Sequence, residues 1–277
     1  MEKRPAGGNK ADPGPLIHYP DFEKLKAAVG KLRTELSMLV LEKDELLLVE
    51  CRNIEMLYML AVGGLEYKAF RLQYRVLRLR RKAEMIQARK NRQERVSLPE
   101  IEEALDAQFA EYQARLEEKI GRVNAALERS RGQPLSVEQA RELKKRYRNI
   151  VKALHPDLHP ELGGARLQLF YNAVTAYENG DLDGLNLISA MAGDTAPPDA
   201  REDGIKALAR EKARLEGLLE GLRDRIARIR AEYPYTMKAF VRDEKQIGAR
   251  KAELEAAIAQ WQEALAACQA RIREMTG

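Results

Sequence analysis

An imidazole and a carboxylate two residues apart, His155 and Asp157, flank Pro156 directly after a strongly basic stretch. With His159 and Glu161 close by, they could be read as metal ligands. Pro156 and Pro160 forbid the helical geometry that would align the two histidines, since each lacks an N–H and disfavours helix in the residue before it. No cysteine is near, so no metal is expected. No nucleophile–base set and no phosphate-cradling glycine loop occurs in the chain, so neither an enzyme nor a cofactor is expected. What remains is a contact surface for a partner.

The residues before the turn predict the helix that presents it. Ser136, with Gln139 three residues on, has the form of a capping box. Leu143, Tyr147, Ile150 and Leu154 then recur at helical spacing and define one apolar face. Arg141, Lys145, Arg148 and Lys152 recur two residues out of phase, about 200° around the helix, so the basic stripe lies opposite. Lys144 and Arg146 widen it. The segment HPDLHPELGG predicts a stiff turn that loosens at Gly163-Gly164 and holds His155 and Asp157 in solvent. Leu167, Phe170, Val174 and Tyr177 predict a returning helix that ends at Asn179-Gly180-Asp181. A short third helix follows over LDGLNLISAM.

These residues resemble the J-domain, the DnaJ-type co-chaperone module. The shared features are Tyr147-Arg148, Ile150, His155-Pro156-Asp157, Phe170 and Ala176-Tyr177. The likeness covers about residues 134–190. It departs from the family in having no Tyr-Tyr and Leu-Gly opening helix, in Asn149 where a basic residue is usual, and in ENGDLDGL in place of a charged fourth-helix motif. The C-terminal end of the preceding helix, 98–130, is expected to supply the missing packing. The resemblance implies a DnaK-type ATPase chaperone as partner. Lys144, Tyr147, Arg148 and Lys152 would dock on its acidic surface, and His155, Pro156 and Asp157 would trigger ATP hydrolysis there.

The rest of the 277-residue chain reads as long helices. Charged residues make up 33% and aromatics 6%, with Ala and Leu supplying the apolar content, a balance typical of coiled coils. No apolar run reaches the 18 residues a spanning helix needs, and the opening MEKRPAGGNKADPGP lacks the apolar core of a signal peptide. Two distant cysteines, Cys51 and Cys268, read as packing residues, so cytoplasmic residence is the default expectation. Residues 1–20 read as a disordered Pro/Gly tail, with Asp21 as an N-cap. A seam through Leu25, Val29, Leu32, Leu36 and Leu39 follows, with a break or kink expected at Gly63-Gly64 and renewal through Leu72, Val76, Leu79, Ala83 and Ile86. Ser97-x-x-Glu100 with Pro99 starts the next helix.

Segment 68–95 carries eleven Lys or Arg against Glu84 and Glu94, a net of +9 where the whole chain has +5. Arg71, Arg75, Arg78 and Lys82 form a stripe that could bind nucleic acid or an anionic membrane. The better reading is neutralisation by the next helix, which opens with Glu100, Glu102, Glu103, Asp106 and Glu111 and would fold back along the stripe, with phosphate binding as the alternative.

The expectation is therefore an all-α protein, with long antiparallel coiled-coil helices flanking a small J-like hairpin. Its parts would be a tail (1–20), a coiled-coil region (21–131), a J-like domain (132–192), a linker (193–204) and an antiparallel helical hairpin (205–277) turning at Tyr233-Pro234-Tyr235. The leading function is a co-chaperone whose arms choose a client or a location. The alternatives are a scaffold with an inactive J-like segment, and a nucleic-acid or membrane binder using 68–95.

Overall fold

The computed structural model describes residues 20–132, 135–192 and 204–276, and all regular structure among them is helical. The tail expected over 1–20 and the linker over 193–204 lie almost wholly outside the described residues.

A nearly unbroken helical run opens the fold: α1 (Pro20–Asp44), a π-helical segment (Glu45–Glu50), α2 (Cys51–Tyr58), a second π segment (Met59–Gly63) and α3 (Gly64–Asn91). It is followed by α4 (Leu98–Arg131), α5 (Val137–Leu154), α6 (Gly164–Glu178), α7 (Leu182–Ala192), α8 (Gly204–Ala231) and α9 (Glu244–Thr276). Asp21 lies inside α1 rather than capping it. Gly63-Gly64 does not break the chain either, because the backbone stays helical through both residues. A π turn bonds over five residues rather than four and so rotates the apolar seam. That rotation is needed here, since α1 packs on α5 and α8 while α3 packs on α4 and α9. Gly63 serves close approach instead: a Cβ there would lie 2.9 Å from Met59 Sδ and 3.3 Å from Val123 of α4.

The turn from α3 to α4 reverses the chain as expected. Glu94 N–H bonds Arg89 O at 3.0 Å and Gln93 N–H bonds Lys90 O at 3.0 Å, with Gln93 in the left-handed region at φ 58°. This is the bonding of a Schellman cap, made without the usual glycine. Ser97 precedes α4, but its hydroxyl makes no capping bond. The antiparallel helix pair is pinned by Arg78 on Glu102 and Asp106, Lys82 on Glu102 and Arg89 on Glu100.

The C-terminal helices do not form the expected hairpin. Instead α8 lies along α1, and α9 lies along α3. Glu35, Glu42 and Glu50 meet Arg223, Arg230 and Lys238, each 188 residues further on, and Glu66 meets Arg250. A constant offset means the two stretches run parallel. Such exposed pairs contribute at most about 1 kcal/mol each, so they set register more than stability. The apolar seam contributes more: Leu215 and Leu219 of α8 share a core with Leu36 and Val40, and Ile258 and Leu265 of α9 share one with Leu72 and Val76. Between α8 and α9 the chain passes the π segments without reversing, held by Tyr58 against Tyr233 and Phe240 at 6.0 and 5.6 Å. Parallel pairing needs a long connection, and α4 to α7 supply it. No helix among the described residues is long and apolar enough to cross a membrane.

Candidate functional site

Helices α5, α6 and α7 pack on one another and rest on α1 and α8 through one continuous core. The capping box forms in full, with Gln139 N–H donating to Ser136 Oγ at 3.1 Å and Ser136 N–H to Gln139 Oε1 at 2.9 Å. Leu143, Tyr147, Ile150 and Leu154 are buried, as their spacing requires. Tyr147 stacks on Tyr177 of α6 at 4.1 Å and His155 meets Phe170 edge-on at 5.0 Å, so α5 and α6 run antiparallel. Gly180, at φ 71°, ends α6, and the Asp181 carboxylate accepts from Gly184 N–H to start α7.

The support is not the one expected. Leu36 and Val40 of α1, together with Leu215 and Leu219 of α8, complete the core, and the end of α4 takes no part in it. Asp44 and Glu45, where α1 passes into its first π segment, accept hydrogen bonds from the Tyr147 and Tyr177 hydroxyls at 2.7 and 2.6 Å. Burial, then these carboxylates, push both phenols far above their ordinary range. Nothing in the local spacing of residues 134–190 points to partners more than a hundred residues away.

Two site residues are placed differently from expectation. Tyr147 is 0% exposed and is a core residue, not part of a docking face. The His155 imidazole faces inward with 7% of its side chain exposed, whereas the Asp157 carboxylate is 48% exposed and Pro156 half-buried. The turn thus presents an acid and hides its base. His155 Nδ1 accepts from Asp157 N–H at 3.1 Å, which holds the ring neutral and the turn closed. His159 is engaged elsewhere, its Nε2–H donating to Lys152 O at 2.7 Å.

Arg214 of α8 holds the turn from the other side, donating from Nη1 to Asp157 O at 3.0 Å while Glu211 fixes its guanidinium. Arg33 of α1 completes that cluster by pairing with Glu211. Sequence reasoning missed Arg214, and no signal near the turn could have found it.

The cationic face is exposed as expected. Lys144 pairs with Glu45 at 3.0 Å and Lys145 loosely with Glu142 at 3.8 Å. Arg141, Arg148 and Lys152 are exposed and make no ion pair among the described residues. The basic run 68–95 is divided: Arg78, Lys82 and Arg89 are neutralised by α4, while Lys68, Arg71 and Arg75 stay exposed and unpaired among the described residues.

No family model, curated protein or solved structure matches the chain.

Burial lowers the His155 pKa from its ordinary value near 6.5, with Asp157 partly opposing the shift. The unfolded chain therefore takes up a proton at a pH where the folded one does not. Stability should be full above about pH 6.5 and fall as pH drops below it. Denaturant midpoints measured between pH 7.5 and 5 should decline in the wild type and show a shallower slope in His155→Gln. Parallel slopes would remove the buried neutral ring from the account.

Proposed function

We propose that the protein is a J-domain-like co-chaperone that recruits a DnaK-type ATPase chaperone and stimulates it. The observation that carries this reading is the cationic side of α5, whose Arg148 and Lys152, without an ion pair among the described residues, lead directly into a turn with a half-exposed Asp157 carboxylate. The antiparallel brace of α5 by α6 adds support, as do the matching positions of Phe170 and Ala176-Tyr177. Lys144, Arg148 and Lys152 form the docking face, and Asp157 with Pro156 is the triggering element. His155, being buried, acts by fixing the turn. The long paired helices on either side are the arms that select a client or a location. The protein hydrolyses nothing itself.

A cationic face meeting an acidic one speeds encounter and is weakened by salt. Reversing two charges, Arg148→Glu with Lys152→Glu, should slow association with the ATPase by about tenfold or more at low salt. It should also flatten the salt dependence, both read by surface plasmon resonance. An unchanged association rate would exclude this face.

A further inference from the structure

A groove of about 750 Å³ runs between α1 and α5, floored by Met38, Leu39, Leu41 and Leu46. Met38 is 56% exposed and, with Leu39 and Leu41, gives the groove an apolar floor open to solvent. From Glu35 to Glu50 the groove follows about 22 Å of helix, the length of four turns. A second depression, lined by Ala27, Gly30 and Thr34, continues it along α1 through Glu35 and Met38.

The two walls differ in charge state. The wall formed by α1 and its first π segment carries four acids, and each is already paired: Glu35 with Arg223, Glu42 with Arg230, Glu45 with Lys144 and Glu50 with Lys238. The α5 wall carries Arg141 and Arg148, which make no ion pair among the described residues, and Lys145 with only its loose contact to Glu142. The unmet charge of the groove is therefore positive and confined to one side.

We propose that this groove binds an amphipathic helix of a partner protein, about four turns long, with an apolar face and an acidic flank. Its apolar residues, spaced i, i+3, i+4 and i+7, lie on Met38 and Leu41, and its acids face Arg141, Lys145 and Arg148. A basic flank finds no unpaired acid on the opposite wall, so the sign of the occupant follows from the pairing. This goes beyond the ATPase reading and does not rest on it: the two share Arg148, but the groove is tested at Met38 and Arg141, which the ATPase docking face does not use.

The test is fluorescence anisotropy on the full chain with a labelled helical peptide carrying Leu at those four spacings and Glu along one flank. Saturable binding is expected. Met38→Glu, an exposed change, should weaken it by about tenfold or more, as loss of a central anchor does. Arg141→Glu should weaken the acidic peptide while gaining affinity for a Lys-flanked version. Circular dichroism of both variants checks that they are folded. Three outcomes overturn the proposal: no saturable binding, equal affinity for a scrambled peptide of the same composition, or a concentration-dependent dimer that Met38→Glu abolishes, which would give the groove to a second copy.

Discussion

Replacing Asp157 by Asn is expected to return a DnaK-type ATPase to its unstimulated rate while leaving the fold intact. The carboxylate is half-exposed, and among the described residues it makes no hydrogen bond, only a 3.9 Å contact with His155 Nδ1. The turn is fixed by backbone groups instead, Asp157 N–H to His155 Nδ1 and Asp157 O from Arg214. Asn keeps both and removes only the charge. Stability should therefore change by no more than about 0.5 kcal/mol, the range of ordinary surface substitutions. His155→Gln is a poorer probe, since it removes a buried ring packed on Phe170 and loses stability and stimulation together. Full stimulation by the Asn variant would take the carboxylate out of the mechanism.

Tyr147 carries the second large effect, and it falls on stability. Tyr147→Ala empties a fully buried aromatic site stacked on Tyr177, which costs about 3–5 kcal/mol. Tyr147→Phe keeps the ring and removes the hydroxyl. Asp44, buried at 6% exposure, is then left with Lys43 as its charged partner, at a cost of about 1–3 kcal/mol. Urea denaturation at pH 7 measures both. A Phe variant of wild-type stability that no longer binds the ATPase would restore Tyr147 to a docking face and overturn its assignment to the core.

What could be read from the sequence is what local rules determine. Helical spacing placed Leu143, Ile150 and Leu154 inside and Arg148 and Lys152 outside, and the capping box at Ser136 formed as written. Of the acids of α4, Glu100, Glu102 and Asp106 did fold back onto Arg78, Lys82 and Arg89, whereas Glu111 pairs with Arg115 of its own helix. Direction of pairing was not legible. A four-three seam specifies a partner face but not a partner, and that of α8 and α9 suits the first helical run as well as it suits itself. The glycine pair Gly63-Gly64 did not break the helix, because the backbone passes through a π segment that rotates the seam without ending it. Tyr147 was assigned by resemblance to a surface although its own spacing placed it on the apolar face. The burial of His155 depends on Phe170, and the hold on the turn depends on Arg214 from α8, both set by packing between segments distant in sequence.

Single-turnover ATP hydrolysis by a DnaK-type chaperone, with and without the wild-type protein, bears most directly on the proposed role. Hydrolysis should accelerate by at least about tenfold, a barrier lowered by some 1.4 kcal/mol. The acceleration should fade as salt screens the α5 face. A rate unchanged by saturating protein at low salt would contradict the co-chaperone role and leave the paired helices as a scaffold.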